Sequence, residues 1–179
     1  MKYGVVGSHA NLTSRVESYT IGGQILISEA TLQETGPILQ VGRFFEVEAK
    51  GVDKPLRLYE VRGIRGEYGL FLSPAEEELL PLQPEIFVRY SLLEGKHLSG
   101  TVFEGRVVRL SVKRGEICCE NVVPLMSNIR MQLVRRNGEE LVGNLYGKVL
   151  EHLCGSDKGF SVRFTSALSE SALLTILRC

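Results

Sequence analysis

Gly4-Val5-Val6-Gly7-Ser8-His9-Ala10-Asn11-Leu12-Thr13-Ser14-Arg15 is the stretch that decides the fold of the N-terminal region. It predicts a short apolar strand over residues 3–7, a glycine turn, and an amphipathic helix over residues 9–19. Asn11 and Arg15 are four residues apart and therefore project from the same helix face. An amide and a guanidinium presented together can hydrogen-bond a sugar oxygen and a phosphate. The order of strand, turn and helix N-terminus also favours anion binding.

Short apolar runs after this helix predict the rest of one half of an α+β domain. Ser8 and Ser28 are suited to cap the N-termini of the two predicted helices. In order, the runs predict a glycine turn at 22–23, a strand over 24–28, a helix over 29–34, and strands over 39–49 and 56–61 joined by a turn at 50–55. These strands lack sheet partners within the region, and an unpaired edge invites pairing with another chain. We therefore expect dimerisation through this half-domain.

The sequence of residues 2–64 resembles the C-terminal half of the catalytic domain of class III nucleotidyl cyclases, the adenylate and guanylate cyclase family. The matching motifs are Tyr3-Gly4-Val5-Val6-Gly7, residues 11–18, residues 22–31, Val47-Glu48-Ala49-Lys50-Gly51, Pro55, Tyr59 and Val61. The resemblance implies a partial ferredoxin-like fold. It also implies that Asn11 orients a nucleotide ribose and that Arg15 stabilises the transferring phosphoryl group.

The same resemblance shows which catalytic residues are missing. The two metal-binding aspartates and the purine-reading lysine of the family precede the matching stretch, and the position that helps select the purine falls at Gly4. Phosphoryl transfer of this kind needs metal ions on the phosphate oxygens. The only aspartates, Asp53 and Asp157, lie in turn-like sequence. We expect no metal site, no cofactor and no cyclase activity from this chain alone, with magnesium or manganese used only if another chain completes the site.

Composition excludes several classes of partner. Of 179 residues, Lys and Arg number 21 and Asp and Glu number 21, so no overall positive field attracts nucleic acid or anionic membranes. No apolar run reaches the roughly 20 residues that span a bilayer, and the N-terminus lacks a signal-peptide pattern. The four cysteines lack the spacing of a zinc module and are expected to be free thiols. We expect a cytoplasmic protein that binds neither nucleic acid nor membrane.

Residues 65–84 are predicted to be a linker with a short helix between two domains, 1–64 and 85–179. Glycines and charges dominate its first part. Ser73-Pro74 followed by acidic residues is typical of a helix start. Pro81 and Pro84 are expected to end that helix.

From Glu85 onward the pattern predicts an antiparallel six-stranded β-barrel with a C-terminal helix. The predicted strands cover residues 86–92, 100–111, 116–119, 129–135, 141–152 and 159–165. Asn137-Gly138 is a strong hairpin signal. A helix over residues 169–177 has Leu173, Ile176 and Leu177 on one face and is expected to cover one barrel mouth. The fold class predicted for the whole chain is α+β.

Residues 84–179 resemble the PilZ family of small barrels, which often bind cyclic di-GMP. The matching motifs are Phe87-Val88-Arg89-Tyr90, Gly105-Arg106-Val107-Val108-Arg109-Leu110-Ser111, Gly147-Lys148-Val149, Phe160-Ser161-Val162-Arg163-Phe164 and the last helix. The family's arginine pair before the first strand has no counterpart, since residues 76–84 carry glutamates there. The second part of the family's ligand signature is an acid or amide, a serine two residues later and a glycine three residues after that. Here Arg109 stands at the first of these positions, Ser111 is kept, and Gly115 comes one residue late, behind Arg114. We therefore expect the usual ligand site to be degenerate.

These observations predict a signalling or interaction protein, in which an incomplete cyclase half is joined to a PilZ-like barrel and acts by binding another chain or itself. Two alternatives remain open. One is a cyclic di-GMP sensor that uses Arg106, Arg109, Ser111 and Arg114. The other is a fragment of a longer, active adenylate or guanylate cyclase.

Overall fold

A computed structural model describes residues 6–47, 55–72, 78–94, 97–153, 158–166 and 168–178. The chain forms two compact units, Met1–Ala75 and Glu76–Cys179. The boundary between them lies within the region that the sequence predicts to be a linker. In the described residues, no helix is both long enough and apolar enough to cross a membrane.

The first unit is a small antiparallel sheet with two helices. Its elements are α1 (Ser8–Tyr19), β1 (Ile25–Ser28), α2 (Glu29–Thr35), a 3₁₀ turn (Gly36–Ile38), β2 (Leu39–Val47), β3 (Leu56–Ile64) and β4 (Leu70–Phe71). The central strand is β3, which pairs with β2 along one edge and with β1 and β4 along the other. In the described part of the chain, β2 is therefore paired on one side only.

Local signals predicted the start of α2 correctly and the start of α1 incorrectly. The Ser28 hydroxyl accepts a hydrogen bond from the Thr31 backbone N–H at 3.3 Å and so caps α2, as predicted. The predicted cap Ser8 is wrong, because α1 begins at Ser8 itself, after Gly7 at φ 145°, with no side-chain cap. Most of the predicted strand over residues 3–7 lies outside the described residues, and Val6 is not in a strand.

The second unit is a closed six-stranded antiparallel barrel, as predicted, with a C-terminal helix. Its elements are β5 (Leu80–Glu94), β6 (His97–Leu98), β7 (Phe103–Leu110), β8 (Arg114–Cys118), β9 (Asn128–Val134), β10 (Glu140–His152), β11 (Gly159–Phe164) and α3 (Glu170–Leu177). The order around the barrel is β5-β7-β8-β11-β10-β9, and β9 pairs again with β5. The short β6 pairs with β5 outside this ring.

The first barrel strand begins earlier than the sequence indicates. Leu80 pairs with Leu110 and Pro81 with Arg109, so Pro81 and Pro84 lie within β5 and do not end a helix. The register shifts between Pro81 and Ile86, and prolines, which lack an N–H donor, are tolerated in a strand at such irregularities. The helix-start residues 73–77 lie outside the described residues.

Alternation along the strands places the core inside the barrel. The fully buried side chains of this unit include Ile86, Val88, Tyr90, Val107, Leu110, Ile117, Ile129, Met131, Leu133, Val149 and Phe160. Ile176 of α3 is buried against the same cluster, with Leu173 and Leu177 partly buried there. The predicted apolar face of the last helix is thus confirmed as part of the barrel core.

A substitution of Gly147 on β10 would test the close packing around this strand. A Cβ at this position would lie 2.5 Å from Val162 Cγ2 and 2.9 Å from the Arg163 carbonyl oxygen. We expect Gly147→Ala to lower the free energy of unfolding by about 1–3 kcal/mol, because overpacking forces neighbours to move. Urea unfolding measures this loss. The matched control is Gly100→Ala, whose Cβ would meet nothing within 4 Å, and equal stability of the two variants would contradict the packing described.

Tyr90 is a buried phenol at the centre of an aromatic cluster. Its ring lies 5.5 Å from that of Phe103 and 5.4 Å from that of Phe160, and its hydroxyl is buried. Burial raises the pKa of Tyr90, and the neighbouring Cys119 thiol adds to the rise. The folded chain therefore holds the phenol proton to higher pH than the unfolded chain does.

The raised pKa predicts a specific alkaline instability. Above pH about 10, where an unfolded tyrosine ionises, the folded state binds more protons than the unfolded state, so stability falls as pH rises. We expect Tyr90→Phe to remove this part of the decline and to leave stability near neutral pH unchanged or higher. Thermal unfolding between pH 7 and 11 measures it. Tyr146→Phe, at a 41% exposed position, should retain the wild-type decline; an identical decline in Tyr90→Phe would contradict the assignment.

Candidate functional site

Asn11 and Arg15 lie on α1 as predicted, and the cleft described beside this helix does not include them. Asn11 is exposed and Arg15 half-buried, and α1 has no fully buried residue. The cleft of about 540 Å³ beside this helix is lined by residues of its other side and of β1, including Val16, Ile25 and Leu26, and by neither Asn11 nor Arg15. The pair stays on an open helix face, as its spacing requires.

The described residues do not fit the two metal ions that the cyclase resemblance would require. Within them, no group of three or more His, Cys, Asp or Glu side chains is placed to hold a metal ion. Asp53 and Asp157 lie outside the described residues. No catalytic step through a metal is therefore derived for the described part of the chain.

The structure divides the predicted ligand residues of the barrel between two places. Arg106 on β7 forms an ion pair with Glu85 of β5, with Nη1 2.5 Å from Oε1. Arg109, farther along β7, lies 3.7 Å from a Glu116 carboxylate oxygen and donates to the Leu79 carbonyl at 3.4 Å. Both guanidinium groups are exposed, and both already face an acidic side chain of the chain itself.

Ser111 closes the turn between β7 and β8. Its hydroxyl accepts hydrogen bonds from the backbone N–H groups of Lys113 at 3.3 Å and Arg114 at 3.0 Å. The Ser111 N–H in turn donates to the Arg114 carbonyl at 2.8 Å. The residue is 3% exposed, and its hydroxyl stabilises the turn.

Arg114 joins three strands on the outside of the barrel. Its Nη2 donates to Glu151 on β10 at 3.2 Å and to Ser161 on β11 at 3.1 Å. Its Nε is buried and has no hydrogen-bond partner among the described residues. The guanidinium is thus held by the barrel wall, while the contacts of Ser111 stabilise the turn between β7 and β8.

Cross-strand pairing creates a cleft that the sequence did not indicate, named the Phe87 cleft for the residue on its wall. It has a volume of about 700 Å³ and is lined by Pro84, Glu85, Ile86, Phe87, Arg106, Arg135, Arg136 and Asn137. Phe87 lies opposite Arg106 on β7 and opposite Val134 on β9. The pairing of β9 with β5 therefore brings the hairpin after Val134 to the same wall as Arg106.

The hairpin at the rim of the Phe87 cleft is firmly built. The Gly138 N–H donates to the Arg135 carbonyl at 2.9 Å, and Gly138 adopts φ +87°, which glycine tolerates. The Asn137 side-chain oxygen accepts the Glu139 N–H at 3.0 Å. Arg135 pairs with Glu139 at 2.8 Å. Asn137-Gly138, predicted as a hairpin turn, is confirmed, and the turn holds Arg136 at the cleft.

A second, smaller cleft adjoins the first at Phe87 and Arg106. It has a volume of about 420 Å³, and its other lining residues are Glu104, Gly105, Cys118, Cys119, Glu120 and Lys158. Cys118 and Cys119 are free thiols, as predicted for these two positions. Its lining has two carboxylates and two basic groups, so this cleft has no marked preference for one sign of charge.

Comparison with models of known protein families and with curated proteins finds no match to this chain.

The contacts of Ser111 predict a structural role that can be measured. Ser111→Ala leaves two backbone N–H groups of the turn without their acceptor, and we expect the free energy of unfolding to fall by about 1 kcal/mol or more. Urea unfolding gives the value. Ser166→Ala, at an exposed position, is the control and should change stability little. If the two substitutions have equal effects, Ser111 does not hold the turn.

Proposed function

We propose that the chain is a signalling or interaction protein whose N-terminal unit, the part that resembles a class III cyclase half, binds a second copy of the chain through β2. The observation that carries this proposal is the long edge of β2, whose nine residues Leu39–Val47 pair on one side only in the described part of the chain. The proposal assigns no catalytic step.

The small core of this unit supports the proposal. Among its described residues, only Leu26, Val47, Leu58 and Val61 are buried apolar side chains, and neither helix contains a fully buried residue. Small domains bury a low share of their surface and are marginally stable alone. Burial against a second chain would add the missing core.

Exposed apolar side chains supply a surface for such burial. In the described residues of this unit they are Val6, Ile25, Ile38, Phe44, Tyr68, Leu70, Phe71 and Leu72. Phe44 is 62% exposed and lies on β2, with its ring 6.1 Å from that of Tyr59 on β3. Of these residues, Phe44 on β2 and Ile38 just before it lie at the proposed edge, where a second chain would cover them.

A second copy of the chain suits this edge for geometric reasons. Two identical strands related by a two-fold axis run antiparallel, which is the arrangement of every strand pair in this sheet. Such a contact is self-complementary and closes after two chains. Glu46 on β2 and Glu29 both form ion pairs with Arg57 and raise its pKa, so each of these carboxylates has a cationic partner within one chain.

The cyclic di-GMP alternative has less support from the contacts. Arg106, Arg109 and Arg114 each face a carboxylate of the chain, and the Ser111 hydroxyl holds a turn. An anionic ligand would have to displace these contacts.

Analytical ultracentrifugation tests the proposal on the full chain. We expect the wild type to form a dimer and Phe44→Lys to weaken dimerisation by about tenfold or more, because a lysine on an edge strand opposes strand pairing and a buried aromatic anchor is lost. Val122→Lys, which places the same charge at an 86% exposed apolar position of the barrel unit, should dimerise like the wild type. A monomeric wild type at tens of micromolar, or a Phe44→Lys dimer of unchanged affinity, would overturn the proposal.

A further inference from the structure

We propose that the Phe87 cleft binds a small ligand that combines an aromatic ring with a phosphate, such as a nucleoside monophosphate. This site is separate from the proposed dimer edge, since all of its residues belong to the barrel unit. Its volume of about 700 Å³ lies within the roughly 300–1,000 Å³ of small-molecule sites.

Arg136 is the group that would recognise the phosphate. It is exposed at the cleft, and it makes no ion pair in the described part of the chain. The neighbouring guanidinium groups differ, because Arg106 is paired with Glu85 and Arg135 with Glu139. A guanidinium that lacks an internal carboxylate can give a bidentate contact to phosphate oxygens.

Phe87 provides an apolar wall for the ring. It is half-buried on the outer side of β5 and lines the cleft together with Pro84. A nucleobase can stack on such a side chain whichever polar groups the base carries, because every base has a π-face. The side-chain oxygen of Asn137 accepts the Glu139 N–H. The side-chain nitrogen of Asn137 can therefore donate a hydrogen bond to a ligand in the cleft.

Glu85 opposes anion binding, so the proposal predicts the direction in which its substitution changes the ligand affinity. Its carboxylate lines the cleft and neutralises Arg106. Substitution by glutamine removes a negative charge near the ligand and releases the Arg106 guanidinium. A ligand held by its negative charge must then bind more tightly, whereas an apolar ligand would respond little.

Isothermal titration of the full chain with adenosine 5′-monophosphate tests the site, with adenosine and inorganic phosphate as component probes. We expect the monophosphate to bind with a Kd below about 1 mM and each component to bind at least about tenfold more weakly, because ring and phosphate act together. No binding of the monophosphate, or binding of one component that equals it, overturns the proposal.

Single substitutions test which side chains of the Phe87 cleft contact the ligand. Arg136→Ala should weaken binding by about tenfold or more, Phe87→Leu should weaken it by about threefold or more, and Glu85→Gln should tighten it. Arg130→Ala is the matched control, since Arg130 is on the outside of the barrel and bonds Asn144 Oδ1 at 2.8 Å; its affinity should equal that of the wild type. Circular dichroism confirms that each variant is folded. Equal affinity in Arg136→Ala and Arg130→Ala contradicts the site.

Discussion

The antiparallel ladder between β5 and β9, from Phe87 opposite Val134 to Leu92 opposite Ile129, is the interaction on which the barrel depends. Without it, both strands would be edges and the sheet would stay open. With it, alternation along β5 turns Ile86, Val88 and Tyr90 into the core and leaves Phe87 outside. The same ladder brings the β9–β10 hairpin beside β7, so barrel closure and the Phe87 cleft have one cause.

The N-terminal unit presents the opposite case, a sheet that does not close. Its central strand β3 is paired on both sides, but β2 keeps a free edge in the described residues. The difference shows in burial, since Phe44 on β2 is 62% exposed while its cross-strand partner Tyr59 on β3 is half-buried. An open edge next to exposed apolar groups is a liability that proteins usually cover or charge. The proposed pairing with an identical edge would cover it.

Signals that act over a few residues were readable from the sequence. Ser28 caps α2, Asn137-Gly138 forms the hairpin, and the alternating runs became the six strands of the barrel. The start of β5 was misread, because Pro81 and Pro84 favour a helix end when their pairing with β7 is unknown. The cyclase-like and PilZ-like assignments remain predictions, since local fold elements alone do not establish them.

The contacts made by the predicted ligand residues of the barrel join distant strands and could not be read from the sequence. The sequence places Arg106, Arg109 and Arg114 together as one basic cluster, yet Glu85, Glu116 and Glu151 reach them from neighbouring strands. Each pairing lowers the charge that a ligand would meet, so a count of arginines overstates the attraction. Arg136 differs from these arginines. Its position just after β9 leaves it without a facing carboxylate in the described residues. In a chain with equal numbers of acidic and basic residues, the proposed anion recognition therefore depends on which guanidinium the strand register leaves without a facing carboxylate.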